Sequence, residues 1–272
     1  MSLEINKIYC GDAANLLKEL NDNSISLVVT SPPYSNIRDY NGFSFPFEDI
    51  AQQLTRVIKP GGVICWIIND QYVNGGRELT SFKQAIFFKE TCGLLVHDVM
   101  VYQKRNFSHP SRNRYHQTWE QIQIFAKGKP NIFNPIKDRK NITAGKIGNL
   151  GVNTFTERDG SKSIRNKKLT TEFGMRHNVW IGNTSGQENM CVELKHPAIM
   201  PRWLARDLII SWSNEEDLIL DPFVGSGVVA AESKKLNRNY IGFDISQEYC
   251  DLSNQNISAA HVNTAKELLN EN

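Results

Sequence analysis

Ser31-Pro32-Pro33-Tyr34 follows Ile25-Ser26-Leu27-Val28-Val29-Thr30, an apolar, β-branched run that reads as a buried strand. The two prolines fix φ and remove two backbone donors. What the segment offers is acceptors, the Ser31 oxygen and the chain carbonyls, beside the aromatic plane of Tyr34. Such a surface receives N–H donors from something flat, and the exocyclic amino group of a nucleobase has that shape and polarity. An aromatic amine is a poor nucleophile because its lone pair is delocalised into the ring. Two acceptors that each take one amino hydrogen would pull the nitrogen toward sp³ character and free that lone pair.

A second constellation lies near the other end of the chain. Asp221-Pro222-Phe223-Val224-Gly225-Ser226-Gly227 falls between an apolar run, Leu218-Ile219-Leu220, and a helical pattern. Its glycines let the backbone approach a ligand, and a helix N-terminus favours an electronegative group. Asp244 ends the next strand about twenty residues on, where a carboxylate can hold two ribose hydroxyls. The loop lacks a Gly-Lys-Ser/Thr ending, so it is not a nucleoside triphosphate loop.

The elements that must position these residues alternate in type. Strands are expected at residues 7–10, 25–30, 63–68, 94–102, 121–125, 218–220 and 240–243. Helices are expected at 13–20, 47–58, 81–90, 197–212, 226–236 and 247–260. Lys59-Pro60-Gly61-Gly62 reads as a helix stop. Alternating strands and helices indicate an α/β doubly wound sheet. From about residue 129 the periodicity is lost, and residues 129–195 read as a loop-rich insert.

Together, Ser31-Pro32-Pro33-Tyr34 and Asp221–Gly227 resemble the paired signatures of the S-adenosylmethionine-dependent DNA amino-methyltransferases. The catalytic motif precedes the cofactor motif, with a basic region between them. That order is similar to the beta group, a circular permutation of the common methyltransferase fold. The resemblance covers residues 7–128 and 196–260. It implies a Rossmann-like α/β fold with a mostly parallel, seven-stranded, circularly permuted sheet. Residues 1–128 and 196–272 would form the catalytic and cofactor-binding domain, and 129–195 a target-recognition insert.

The resemblance also assigns roles. Ser31, Pro32, Pro33 and Tyr34 would form the catalytic loop, with the Ser31 side chain and the Pro32 carbonyl as acceptors and Tyr34 stacked on the base. S-adenosyl-L-methionine would be held by Asp12, Ala13, Thr30, His196, Pro197, Asp221, Pro222, Phe223, Gly225, Ser226, Gly227 and Asp244. Taken alone, Asp12 reads as a helix N-cap, and the two roles can coexist. His196 taken alone reads as a surface or capping residue. Neither a metal nor a cysteine nucleophile is required, because a sulfonium is already an activated leaving group. Adenine enzymes of this family usually carry Asp or Asn at the position of Ser31. Serine there leans toward cytosine N4, with adenine N6 as the alternative.

The formal net charge of +2 conceals an asymmetry: residues 101–187 hold 16 Lys and Arg against 5 Asp and Glu. This is an electrostatic footprint for a polyanion. Lys104, Arg105, His109, Arg112, Arg114 and Tyr115 lie in a stretch that joins two strands, and Arg139, Lys140, Lys167 and Lys168 lie in the insert. All ten are candidates to contact double-stranded DNA. Reaching a base inside a duplex requires rotating it out of the stack. Phe43, Phe45 and Phe47 either wall the base pocket or pack a helix on the sheet. A DNA-binding protein with an inactive methyltransferase core is a rival reading, and so is an RNA or protein methyltransferase. The family setting admits a cognate restriction endonuclease and a homodimer as partners.

Apolar content of 40% and charged content of 22% are those of an ordinary globular chain. No apolar run approaches the length of a bilayer span, and the N-terminus lacks a signal-peptide pattern. Cys10, Cys65, Cys92, Cys191 and Cys250 are widely separated, without a C-x-x-C pair. They suggest neither a zinc site nor a disulfide framework, and a reducing cytoplasm is the expected setting.

Overall fold

The computed structural model describes residues 3–33, 45–106, 112–145, 154–164, 170–184 and 199–260. Within them the chain divides into two compact units, residues 1–134 with 178–271, and residues 135–177.

The first unit is built on one eight-stranded sheet. Its strands are β1 (Lys7–Cys10), β2 (Ile25–Thr30), β3 (Ile58–Ile68), β4 (Leu95–Lys104), β5 (Trp119–Ala126), β6 (Val179–Gly182), β7 (Leu218–Asp221) and β8 (Asn239–Asp244). Their spatial order is β1-β8-β7-β2-β3-β5-β4-β6. Pairing is parallel from β1 through β3 and again between β4 and β6. Only β5 runs against both of its neighbours. The mostly parallel expectation therefore holds, with one strand more than the seven read from sequence. The addition is β6, which lies in the stretch assigned to the insert and pairs Val179 with Val101.

The strands that are buried on both faces read as continuous apolar runs, as a sheet covered by helices requires. Helices α1 (Ala13–Leu16), α2 (Phe47–Val57) and α3 (Thr80–Glu90) share one core with Ile64, Trp66 and Ile68 of β3. Helices α4 (Arg202–Trp212), α5 (Val228–Lys235) and α6 (Gln247–Ala259) pack in sequence with one another, and α4 also lies against β2. In the first core Phe47 meets Phe87 at 5.4 Å and Phe88 at 5.5 Å. Trp66 has no exposed surface, and its indole N–H donates to Gln84 Oε1 at 2.9 Å. Leaving that donor unpaired would cost about 1–3 kcal/mol.

Two boundaries differ by five residues from the sequence reading. Lys59-Pro60-Gly61-Gly62 does not separate helix from strand, because β3 already begins at Ile58, which pairs with Ile25. The register then shifts between Ile25 and Leu27, and Gly61 takes a positive φ of 78° there. Glycine carries that conformation without the penalty a Cβ imposes. Helix α4 starts at Arg202 behind Pro201, not at Pro197, which lies outside the described residues.

The second unit contains two small antiparallel ribbons, Arg139–Lys140 with Phe173–Gly174 and Thr154–Thr156 with Lys162–Ile164. Among the described residues no helix is long and apolar enough to cross a membrane.

Candidate active site

The chain leaves β2 toward β3 on one side and leaves β7 toward β8 on the other. The sheet order therefore reverses between β2 and β7, and ligands of open α/β sheets bind outside the carboxyl ends of the strands at such a point. The two strands are joined there by a buried hydrogen bond, Thr30 Oγ1 to Asp221 Oδ1 at 2.7 Å. Ser31, Pro32 and Pro33 follow immediately, with Pro32 buried and its two neighbours half-buried. Tyr34 lies outside the described residues, as do His196 and Pro197.

The loop after β7 is shaped by its own carboxylates. Asp221 Oδ1 also accepts from the Phe223 N–H at 3.1 Å. The Val224 N–H donates to the Phe243 carbonyl at 2.8 Å, and the Gly225 N–H to Asp244 Oδ2 at 2.9 Å. On its other side Asp244 Oδ1 accepts from the Ser246 N–H at 2.9 Å. Asp244 therefore orders the turns at Gly225 and Ser246 with both of its oxygens.

Gly227 ends the loop at a φ of 80°, where an added Cβ would lie 2.8 Å from the Ser253 Cα. Ser253 itself donates to the Gly225 carbonyl at 3.1 Å. Strain and overlap act together at this position. Gly227→Ala is expected to destabilise the fold by about 2–3 kcal/mol, lowering Tm by about 5–10 °C in a thermal melt. A wild-type melting temperature would show that the loop has room to relax.

Asp221 is the perturbed carboxyl of the site. Burial pushes its pKa up to about 7, and the charge of Asp244 adds to the rise, while the Thr30 hydroxyl and the Phe223 N–H pull the other way. A half-ionised, desolvated carboxyl at a strand end suits a cationic ligand, whose arrival would complete the ionisation.

The remaining predicted positions divide by exposure. Asp12 caps α1 by accepting from the Asn15 N–H at 3.1 Å, and the Gly11 N–H donates to the Asp244 carbonyl at 2.8 Å. The turn that carries Asp12 is thereby tied to the strand that carries Asp244. Ala13 and Ser226 are buried, Pro222 is buried and Phe223 is half-buried. Thr30 has no exposed surface, and its hydroxyl donates to Asp221. Phe45 packs edge-on against Phe223 at 5.5 Å, which links the chain entering α2 to the loop after β7. Phe47 belongs to the core, and Phe43 lies outside the described residues.

Of the basic candidates, Lys104 pairs with Glu120 on the neighbouring strand. Arg105, Arg112, Arg114 and Tyr115 are exposed. In the second unit Arg139 donates to the Met175 carbonyl at 3.0 Å, and Lys140 is exposed. His109, Lys167 and Lys168 lie outside the described residues. The sequence reading passed over the hairpin Tyr72–Val73 with Gly76–Arg77. Its Asn74-Gly75 turn is a strong short-range hairpin signal that could have revealed it.

The chain is similar to known proteins along most of its length. The N6/N4 methyltransferase family, described as DNA methylase, matches residues 25–255. The orphan methyltransferase M.BamHII of Bacillus amyloliquefaciens is 45% identical over 244 residues, covering 88% of this chain and 91% of that protein. The PvuII DNA methyltransferase, titled cytosine-N4-specific, shares the fold with a TM-score of 0.68 at 19% identity, across 99% of this chain and 92% of the other. An M1.HpyAVI–SAM complex superposes with a TM-score of 0.59 at 21% identity, across 92% of this chain and 98% of its own. On the span of the family match and the identity to M.BamHII, this chain belongs to the N6/N4 family of DNA methylases.

Proposed function

We propose that this DNA methyltransferase modifies the N4 amino group of a cytosine rotated out of duplex DNA, with S-adenosyl-L-methionine as the methyl donor. The observation that carries the reading is the juxtaposition at the switch point: Ser31 directly follows Thr30, and Thr30 is hydrogen-bonded to Asp221. An acceptor loop for an amine and a carboxyl suited to a cation thus share one edge of the sheet.

When bound, the donor supplies an electrophilic methyl group on a sulfonium. The carboxylate of Asp244 receives the ribose hydroxyls, and Asp221 balances positive charge on the donor's methionine end. On the other side of the switch point the Ser31 oxygen and the Pro32 carbonyl each accept one amino hydrogen of the base. Their acceptance localises the nitrogen lone pair and aims it along the line of transfer. Orientation and fixed dipoles supply most of the acceleration. Tyr34 stacks on the extruded base, which returns about 1–3 kcal/mol against an unstacking cost of a few kcal/mol.

Serine in place of a carboxylate or amide at position 31 supports cytosine, as does the likeness in fold to a protein titled cytosine-N4-specific. We assign target recognition to the second unit and the chain flanking it. Residues 135–177 carry 10 Lys and Arg against 4 Asp and Glu, which suits contact with phosphates. Incubating unmodified DNA with the protein and donor, then digesting it to nucleosides for mass spectrometry, tests the assignment. N4-methyldeoxycytidine is the expected product. N6-methyldeoxyadenosine in its place would overturn the choice of base, and no methylated nucleoside would overturn the activity.

A further inference from the structure

The cysteines are scattered along the sequence, but the fold brings two of them together. Cys10 ends β1, and Cys250 lies in the first turn of α6 near the other end of the chain. Strand β1 pairs with β8 in a register that sets Cys10 against Asp244. The chain leaves β8 through Ile245 and Ser246 and enters α6, which packs against β1. Both thiols therefore meet the same short link. The Cys250 thiol donates to the Asp244 carbonyl at 3.5 Å, and the Cys10 thiol to the Ile245 carbonyl at 3.8 Å. The two thiols also hydrogen-bond to each other.

Their surroundings differ. Cys10 is exposed, whereas Cys250 is buried. Burial, followed by the adjoining Cys10 thiol, pushes the Cys250 pKa up to about 12. Cys250 thus stays protonated and shielded while Cys10 meets solvent. Cys65 lies in β3, which three strands separate from β1, and Cys92 follows α3. Among the described residues, Cys10 and Cys250 are the pair placed to react with each other.

We propose that Cys10 and Cys250 form a reversible redox pair, which hydrogen peroxide closes to a disulfide and a thiol reductant reopens. Cys10 reacts first, because an accessible thiolate is the nucleophile. Its sulfur attacks one peroxide oxygen and the O–O bond breaks. Cys10 becomes a sulfenic acid, and the released hydroxide recovers the Cys10 proton as water. The Cys250 sulfur then attacks the sulfenic sulfur. The S–S bond forms, the S–O bond breaks, and the departing hydroxide takes the Cys250 proton as a second water. Two thiols lose two electrons, and one peroxide becomes two waters.

The disulfide ties β1, and the Gly11-Asp12 turn that follows it, to α6. It closes almost the whole chain into one loop, and the entropy removed from an unfolded chain grows with loop length. The inference is independent of the methyl donor and of the base that is modified.

The test treats the folded protein with hydrogen peroxide, blocks remaining thiols with N-ethylmaleimide, and maps unreduced peptides by mass spectrometry. A peptide linked through Cys10 and Cys250 is expected, and dithiothreitol should remove it. The oxidised protein should melt about 10 °C higher, and the rise should vanish on reduction. Cys10→Ser and Cys250→Ala should each abolish the link and the rise, whereas Cys92→Ser should keep both. Circular dichroism establishes that each variant is folded. In Cys250→Ala the sulfenic acid at Cys10 has no partner, so dimedone should trap it there. Cys10 oxidised to a sulfinic acid in the wild-type protein, with Cys250 still a free thiol, would overturn the pair. A disulfide joining Cys10 of two molecules would do the same, and an unchanged melting temperature in the linked protein would overturn the staple.

Discussion

Ser31→Ala is expected to lower methyl transfer to DNA by about 10²–10³-fold while donor affinity stays within about twofold of wild type. The size follows from what the hydroxyl does in the proposed reaction. It is one of two acceptors that draw the amino nitrogen out of conjugation, and this interaction strengthens as the nitrogen approaches sp³ geometry. Losing a preorganised partner of that kind costs the transition state more than the ground state. The loss should therefore fall on kcat and on kcat/KM alike, not on KM alone. Donor affinity is spared because the carboxyls proposed to hold the donor belong to other strands. Asp221 ends β7 and Asp244 ends β8, and the bond that orients Asp221 comes from Thr30, one residue before Ser31.

Ser31→Thr keeps the oxygen and should retain measurable turnover, which separates loss of the acceptor from a general disturbance of the loop. Single-turnover incorporation of labelled methyl groups is the direct measurement, with donor binding followed by calorimetry. Turnover in Ser31→Ala equal to wild type would remove the hydroxyl from the mechanism. An equal collapse in Ser31→Ala and Ser31→Thr would point to packing of the loop instead.

The elements that carry this chemistry were legible for a physical reason. Strands buried on both faces must be apolar throughout, and Ile25–Thr30 and Leu218–Asp221 stand out as such runs. Gly225-Ser226-Gly227 marked the entry to α5 because a left-handed backbone favours glycine, and both glycines have positive φ. The spacing to Asp244 followed from the rise and return of one strand–helix–strand unit. What local sequence does not encode is adjacency in space. Thr30 and Asp221 meet only because β7 lies beside β2, and nothing near either residue announces that neighbour. Strand β6 has four residues, set in a stretch rich in Asn and Gly, and its partner β4 lies far upstream, so its period was too short to register. Arg114 belonged to a basic stretch read as a loop. Its stacking on the Tyr72 ring depends on a hairpin contributed by a different connection.

Adjacency also sets the second large effect, which concerns Asp221. Asp221→Asn is expected to make the protein more stable at pH 8 and less able to bind its donor. In the folded chain the carboxyl has a pKa of about 7 against an ordinary value of 3.8. Between those values the native state keeps a proton that the unfolded state has lost. Stability therefore falls as pH rises through this window, by at most about 1.4 kcal/mol per pH unit, and the penalty is fully present above pH 7. Asparagine carries no charge to desolvate, and its amide oxygen can still accept from Thr30 Oγ1 and the Phe223 N–H. The variant should thus melt several degrees higher at pH 8, with the gain shrinking steadily as pH is lowered toward 4. Donor binding should move the other way. Wild-type affinity should strengthen as pH rises through about 7, because ionised Asp221 balances the donor's positive charge. In Asp221→Asn that rise should disappear and the affinity should be lower at pH 8. Melting curves and calorimetry across pH 5–8 measure both effects. If the variant melted with the wild-type pH dependence, the buried charge would not be the source of the penalty. If it bound donor as wild type does at pH 8, Asp221 would be a purely structural carboxyl, and the charge balance at the switch point would have to come from Asp244 alone.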